Sequence, residues 1–301
     1  MTNSPLPAGS IDWLGTAELH PYLVVDVFTR RCLQGNQLGV FLDGRPFSDQ
    51  DMQRLTREMN FAETVFLLPA RAGGDAWVRI FTPGAELPFA GHPVLGTAFV
   101  VANALSKDSV VLETGAGPVP IALERADDGR IVFGRMQQPI PEWEPYDRAS
   151  ELLEAIGVES SGLPVEVYRN GPVHVYVKLP DEAAVAALRP DMTRLHDLDV
   201  AANCFAGHGT RWKTRMFYPS TGVPEDPATG SAAGPLALHL ARHGEIAFGE
   251  EIEIRQGEEI DRPSLLYAKA TGTPDRVESV EVGGSAQIVA SGKFRLSGDP
   301  G

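Results

Sequence analysis

Residues 79–105 read RIFTPGAELPFAGHPVLGTAFVVANAL, and the same layout returns at residues 215–243 as RMFYPSTGVPEDPATGSAAGPLALHLARH. Each copy has a short strand-like run that ends in proline, a passage containing glutamate and proline, and a glycine that opens a long apolar helix. The two glycines, Gly91 and Gly230, are 139 positions apart in a chain of 301 residues. The repeat predicts two halves of one architecture that face each other. Chance similarity between two strand–loop–helix units is the alternative.

A glycine at the start of each helix has a chemical consequence. The first N–H groups of a helix have no partner within the helix, and together with the helix dipole they form a site for an anion. Two such helix starts that converge on one cleft could hold a substrate carboxylate. They could also stabilise charge that spreads from an adjacent carbanion.

The rest of the chain alternates between strand and helix patterns. Short β-branched runs predict strands, the first of them starting near Tyr22. Ser48 is predicted to cap the first helix, with Asp51 three residues further on. The proline-rich residues 138–145 (QPIPEWEP) are the predicted linker between domains. The predicted division is a flexible tail at 1–20, a first domain at 21–137 and a second at 138–285, with the last strand, about 286–298, available to the first domain.

Composition limits the partners of the protein. With 43% hydrophobic residues the chain can bury a sizeable core, and its net charge of −14 repels a phosphate backbone, so we expect no nucleic-acid partner. Two cysteines, Cys32 and Cys204, do not make a disulfide framework and suit a reducing cytoplasm. No apolar run approaches the roughly 20 residues of a membrane helix. We therefore expect a cytoplasmic protein without a membrane partner.

Two polar clusters precede or open the first apolar helix. In residues 60–66 (NFAETVF), Glu63 lies among apolar neighbours, where desolvation would raise its pKa and suit it to general acid–base work. Capping or ion pairing at a loop is the alternative for this residue. His92 lies between Gly91 and Pro93, where it can donate a hydrogen bond or titrate. A simple structural cap is the alternative there.

A third cluster opens the second apolar helix. In residues 225–234 (EDPATGSAAG), Asp226 offers an acceptor and Ser231 a donor, while the glycines let a backbone approach a ligand. An ordinary loop is the alternative. His239 and His243 lie four apart and could bind a metal, but no third ligand has suitable spacing, so we predict an exposed helix surface and no metal. No Walker loop or GxGxxG fingerprint is present, so no nucleotide cofactor is expected.

At these clusters the chain resembles the PhzF family of phenazine biosynthesis, whose fold is similar to that of diaminopimelate epimerase. The resemblance covers residues 22–296. One departure is Gln37, where many relatives have proline, and it is expected to affect a loop beside the pocket rather than the chemistry. The motifs that carry the resemblance are Asp26-Val27-Phe28, Gly35-Asn36, the Glu63 segment, Gly91-His92-Pro93, Asn170-Gly171-Pro172, residues 225–234, Gln256-Gly257 and Arg262-Pro263-Ser264.

The resemblance implies an α+β, diaminopimelate epimerase-like fold with two pseudo-symmetric domains. Each domain would be a curved sheet around a central helix, and the protein would be a homodimer. Glu63 matches the family's proton-shuttling carboxylate, while His92 and Asp226 match residues that position and polarise the substrate. The residues that match donors to the substrate carboxylate are Gly91, Gly230 and Ser231.

The implied reaction is the isomerisation of trans-2,3-dihydro-3-hydroxyanthranilate, a small-molecule carboxylate, to its keto tautomer without a cofactor. Glu63 would remove the proton at C3 and return it elsewhere along the conjugated system. Three alternatives stay open: another small amino or hydroxy acid handled by the same family, a hydrolase with Ser231, His92 and Asp226 as its triad, and a non-catalytic small-molecule-binding protein. Racemisation by two thiols is not expected, because neither cysteine lies at the glycine turns.

Overall fold

The computed structural model of the protein describes residues 18–296. This part of the chain contains eighteen β-strands and six α-helices. The strands are β1 Leu19–Val27, β2 Asn36–Phe41, β3 Glu63–Leu68, β4 Ala76–Phe81, β5 Glu86–Leu87, β6 Ser109–Thr114, β7 Gly117–Arg125, β8 Ile131–Gln138, β9 Glu142–Pro145, β10 Glu166–Arg169, β11 Val173–Lys178, β12 Ala201–His208, β13 Arg211–Tyr218, β14 Val223–Asp226, β15 Glu251–Gln256, β16 Ser264–Thr273, β17 Arg276–Gly284 and β18 Ala286–Arg295. The helices are α1 Asp49–Met59, α2 Gly91–Leu105, α3 Ala149–Ile156, α4 Glu182–Ala187, α5 Met192–Leu198 and α6 Gly230–Arg242.

The two halves of the chain repeat one strand order. In the first half the neighbours run β1, β2, β3, β4, β6, β7, β8, parallel at β2–β3 and β4–β6 and antiparallel elsewhere. In the second half β10, β11, β12, β13, β15, β16, β17 follow the same order, parallel at β11–β12 and β13–β15. The antiparallel pair β8–β17 joins the halves. The predicted pseudo-symmetric α+β fold is confirmed.

One apolar helix lies within each half. Residues 91–102 of α2 and 230–241 of α6 are all buried. Helix α2 contacts β1, β2, β6, β7 and β8, and α6 contacts β15, β16 and β17. A helix that is apolar on every side must be enclosed, because no face of it gains by meeting water. The continuous apolar runs in the sequence are therefore the cores of the two halves.

Strand exchange between the halves corrects two boundaries at the chain ends. β1 begins at Leu19 rather than near Tyr22, because Leu19 and His20 pair with Arg295 and Phe294 of β18. The predicted tail at 1–20 thus overlaps β1, and residues 1–17 lie outside the described residues. The last strand, predicted at about 286–298, is β18 and ends at Arg295, and it pairs with β1 of the first half.

The predicted linker contains a strand. Within residues 138–145, β9 pairs with β10, so this passage carries the chain into the sheet of the second half. β9 and β18 are counterparts, since each follows the last shared strand of one half and pairs with the first strand of the other. The division of the chain into domains at 137/138 stays a prediction.

Helix α1 packs on the outside of the first half. The Ser48 side chain accepts from the backbone N–H of Asp51, whose side chain accepts from the Ser48 backbone, so the predicted cap is confirmed as a reciprocal capping box. The buried side chains of α1 lie with Phe41 and Phe66 in a separate aromatic cluster. Within residues 18–296 no helix is both long enough and apolar enough to cross a bilayer.

Candidate active site

The starts of α2 and α6 meet backbone to backbone. A Cβ added to Gly91 would lie 2.5 Å from the carbonyl carbon of Gly230 and 2.5 Å from the amide nitrogen of Ser231. Only glycine permits this approach. The N-cap residues Ala90 and Thr229 make no capping hydrogen bond with their side chains in the described structure. The first N–H groups of both helices therefore remain available to a ligand.

A cavity of about 570 Å³ opens at this junction. Its size is typical of sites for small molecules. Every residue predicted for the site lines the cavity, so the structure brings together side chains that lie up to 168 positions apart in the sequence. These residues are Glu63, Gly91 and His92 from the first half and Asp226, Gly230 and Ser231 from the second.

Glu63 is the first residue of β3 and its carboxyl reaches the cavity. Its Oε2 lies 3.3 Å from Nε2 of His92, and neither atom has a hydrogen-bond partner among the described residues. Burial raises the pKa of Glu63 well above its ordinary value, and the nearby charge of Asp226 raises it further. A buried carboxyl that is left unsatisfied beside a cavity is poised to exchange a proton with a ligand.

Asn36 connects the other two polar residues. Its Nδ2 donates to Oδ1 of Asp226 at 2.8 Å and to the carbonyl of Ala228 at 3.0 Å, and it lies 3.1 Å from Nδ1 of His92. Oδ2 of Asp226 accepts from the Thr229 hydroxyl at 2.6 Å. Sequence reasoning gave Asn36 no role, although the Gly35-Asn36 motif at the start of β2 was a signal.

Burial sets the charge states of this group. It lowers the pKa of His92 to about 3, so the imidazole is neutral at neutral pH. Burial also raises the pKa of Asp226, against the opposing effect of hydrogen bonds from Thr229 and Asn36. Both carboxyl groups therefore hold protons more tightly than they would in water, chiefly because burial disfavours their charged forms; the charge of Asp226 adds to this at Glu63, and that of Glu225 at Asp226.

Side-chain amides hold the start of α6 in place. Nε2 of Gln138 donates to the carbonyl of Gly230 at 2.8 Å, and Nδ2 of Asn170 donates to the carbonyl of Ser231 at 3.0 Å. Nε2 of Gln256 donates to the carbonyl of Asp226 at 2.8 Å. The turn that carries the acceptor and donor groups is thereby fixed before a ligand arrives.

The two halves differ at the position of the carboxyl group. Leu38 of β2 pairs with Glu63 at the start of β3, and His174 of β11 pairs with Ala201 at the start of the counterpart strand β12. Ala201 also lines the cavity. Of these two matched positions, only Glu63 in the first half carries a carboxyl group. The site therefore differs from one in which each half contributes an acid–base group.

His174 is a further residue that sequence reasoning missed. It lines the cavity from β11 and its Nε2 lies 3.0 Å from the hydroxyl oxygen of Ser231. Ser231 was expected to pair with His92 in the hydrolase alternative, so the structure gives it a different histidine. The available signal was one imidazole among the apolar residues of VHVYVK.

The prediction of an exposed surface at His239 and His243 is wrong. His239 is fully buried, and both imidazoles contact Glu166 Oε2, at 3.2 Å and 3.1 Å. Arg242 also donates to this oxygen, at 2.7 Å. Burial would raise the pKa of Glu166, but the hydrogen bonds from these three residues and from the Tyr168 hydroxyl outweigh burial and hold it well below its usual range. The positively charged guanidinium of Arg242 contacts the Glu166 carboxylate and would repel a metal cation bound there. We therefore interpret the cluster as an ion-pair network.

The fold and the site define a class of protein: an epimerase-like α+β enzyme whose buried carboxyl group and paired helix starts suit proton transfer beside a substrate carboxylate. A family model of phenazine biosynthesis-like proteins (PhzC-PhzF) matches residues 25–292. The chain belongs to this family, and it is an isomerase.

Similar proteins cover nearly the whole chain. Trans-2,3-dihydro-3-hydroxyanthranilate isomerases from Pseudomonas aeruginosa and Pseudomonas chlororaphis are 54% and 51% identical, over 92% of this chain and 100% of each relative. The crystal structure of a PhzF family protein from Bacillus anthracis has a TM-score of 0.82 at 24% identity and covers 93% of this chain and all of that one. A predicted epimerase from Pseudomonas aeruginosa has a TM-score of 0.76 at 33% identity, over 92% of this chain and all of that one.

Proposed function

We propose that this protein isomerises trans-2,3-dihydro-3-hydroxyanthranilate in phenazine biosynthesis. The names of the relatives that are 54% and 51% identical over their full length support this substrate. The observation that carries the proposal is the unsatisfied carboxyl oxygen of Glu63, which lies in a cavity shared with two uncapped helix starts. That arrangement supplies a base and an anion site for one small carboxylate.

Glu63 acts as the proton carrier. Its carboxylate accepts the proton as the C3–H bond breaks, and the electron pair enters the conjugated double bonds that end at the substrate carboxylate. The protonated Glu63 then returns the proton to another ring carbon, so the reaction is a net isomerisation. The raised pKa makes the ionised carboxylate a stronger base than a solvated one.

The helix starts receive the charge that develops. Backbone N–H groups at Gly91 and Gly230 and the hydroxyl of Ser231 hold the substrate carboxylate, where the negative charge increases as C3 loses its proton. Such fixed donors stabilise the transition state without reorganising. Asp226 and His92 position the amino and hydroxyl groups of the ring. The chemistry needs no metal or nucleotide, because the conjugation of the substrate delocalises the charge.

The experiment is a Glu63→Gln variant assayed with the dihydro acid in deuterated water. Loss of a positioned general base lowers the rate about 10²- to 10⁴-fold, and deuterium incorporation into the product should fall with it. Glu58→Gln, the same exchange at an exposed position on α1, is the matched control and should keep full activity. Undiminished turnover by Glu63→Gln would remove the basis of the mechanism. Assays with other small amino and hydroxy acids test whether the substrate differs within the family.

We also propose that the protein is a cytoplasmic homodimer. The family resemblance supports the dimer. Sedimentation velocity over a hundredfold concentration range tests this proposal. A monomer mass of 32.4 kDa at every concentration would refute it.

A further inference from the structure

A buried row of three side chains leads away from the cavity wall. Nδ2 of Asn203 lies 3.3 Å from Nδ1 of His174, and Nε2 of His174 lies 3.0 Å from Oγ of Ser231. The three residues are 3%, 2% and 6% exposed. The order of serine, histidine and a third polar residue is that of a serine hydrolase triad. Whether it works as one depends on the direction of each hydrogen bond.

The orientation of Asn203 follows from a second contact. Its Nδ2 also donates to the carbonyl of Ala201 at 3.0 Å. A carbonyl oxygen only accepts, so the opposite orientation of the amide would bring two acceptors together. The amino group of Asn203 therefore faces both Ala201 and His174, and each of its two hydrogens has an acceptor.

The tautomer of His174 follows from Asn203. Burial lowers the pKa of His174 to about 3, so the ring carries a single proton at neutral pH. Because Nδ1 faces an amino group, Nδ1 is the acceptor and the proton is on Nε2. Nε2 thus donates to the Ser231 hydroxyl oxygen. In a hydrolase triad the same nitrogen has to accept the serine proton, so the polarity here is reversed.

We propose that His174 is a positioning residue, which, held by Asn203, makes the Ser231 hydroxyl a donor aimed at the substrate carboxylate. Once Oγ of Ser231 accepts a hydrogen bond from His174, the hydroxyl proton of Ser231 remains to be donated. Ser231 lies at the start of α6, so this proton faces the cavity. The inference rests on the proposed function, since it adds a determinant of carboxylate binding to that site. It also implies that Ser231 is not a nucleophile.

The first test reads the tautomer directly. Nitrogen NMR of the protein labelled with ¹⁵N-histidine should show one buried ring, absent from spectra of His174→Gln, that is neutral and protonated at Nε2 from pH 6 to pH 8. In Asn203→Leu this preference should weaken, because Nδ1 loses its donor. A ring protonated at Nδ1, or a doubly protonated one, in the wild-type protein would overturn the proposal.

The second test uses matched variants. Gln at position 174 can still donate to Ser231 whereas leucine cannot, so we expect KM to stay within about twofold in His174→Gln and to rise roughly three- to tenfold in His174→Leu. Ser231→Ala should raise KM roughly tenfold to a hundredfold, since it removes a hydrogen bond to a charged group. His208→Gln, at an exposed histidine of β12, is the control and should be unchanged.

The double variant separates positioning from a structural role. If His174 acts through Ser231, adding His174→Leu to Ser231→Ala should leave KM at the value of Ser231→Ala alone. An equal loss in both backgrounds would overturn the proposal. If His174→Leu does not fold, the tautomer and the kinetics of His174→Gln decide.

Two further measurements keep this inference separate from the proposed function. If the wild-type protein does not turn over the dihydro acid, the proposed function fails. The positioning role is then tested by calorimetry with 2-aminobenzoate, which carries the same carboxylate and amine, and should still show weaker binding in His174→Leu. Covalent labelling of Ser231 by an alkyl phosphonate would show a nucleophilic serine and would overturn the reversed polarity.

Discussion

Replacing Gly91 by alanine tests the contact between the two helix starts. The new Cβ would lie 2.5 Å from two backbone atoms, of Gly230 and Ser231, and 2.8 Å from the Gly230 Cα. Ordinary van der Waals contact begins near 3.4 Å, so the two backbones must separate by about 0.9 Å. Backbone atoms cannot rotate away as a side chain can, and the whole first turn of one helix has to move.

The displacement should affect catalysis more than stability. Overpacking costs about 1–3 kcal/mol, and the better helix propensity of alanine returns up to about 1 kcal/mol. A shift near 1 Å in groups that position a substrate can cost on the order of 10²-fold in rate. We therefore expect Gly91→Ala to fold and to lose about 10²-fold in kcat/KM.

Steady-state kinetics with the dihydro acid and urea unfolding measure the two effects. Gly162→Ala is the control, because the nearest atom to its Cβ is in the flexible side chain of Lys178 at 3.4 Å and its φ is not in the positive range. A folded Gly91→Ala protein with wild-type kcat/KM would refute the argument that the paired helix starts hold the substrate.

Three further outcomes follow from burial. Because burial raises the pKa of Glu63 above 4.5, kcat/KM should increase with pH as the free enzyme loses that proton, and a flat acid limb would argue against Glu63 as the base. The folded state then binds the Glu63 proton more tightly than the unfolded chain does. The stability that comes from binding this proton is intact below about pH 4.5 and declines as pH rises through the folded pKa. Thermal melts should consequently show Glu63→Gln more stable than the wild type at pH 8 and no such gain at pH 4; equal melting temperatures at pH 8 would contradict this. Phe41→Ala should lower the free energy of unfolding by about 3–5 kcal/mol, since the ring is fully buried and stacks on Phe66 at 4.8 Å, and a loss below 1 kcal/mol in urea titrations would show that the cluster does not stabilise the fold.

Local sequence patterns were sufficient to predict the helices and turns that depend on residues close together in the chain. Helix α1 has its cap and the matching acid within four residues, so Ser48 and Asp51 predict its start. The two apolar helices are evident because enclosure on every side removes the usual polar stripe. The repeat around Gly91 and Gly230 is evident because each half needs the same turn before its helix.

Prediction failed where a partner comes from far along the sequence. Leu19 belongs to β1 because Arg295 lies beside it, and no pattern within the first residues records that pairing. The linker passage becomes β9 because β10 offers it an edge. Spacing along α6 suggested an exposed His239, while the fold covers it with Tyr176 and Phe205 and brings Glu166 into contact with its Nδ1.

The sequence by itself determined the kinds of groups available: a carboxyl group among apolar neighbours, two glycine-led helices and small residues at their starts. Tertiary structure alone decided which groups meet, because a hydrogen bond needs atoms about 3 Å apart whatever their separation along the chain. Asn36 contacts Asp226 across 190 positions, and His174 reaches Ser231 across 57. The raised pKa of Glu63 is likewise a tertiary property, since it comes from burial and from the charge of Asp226, which lies in the other half of the chain.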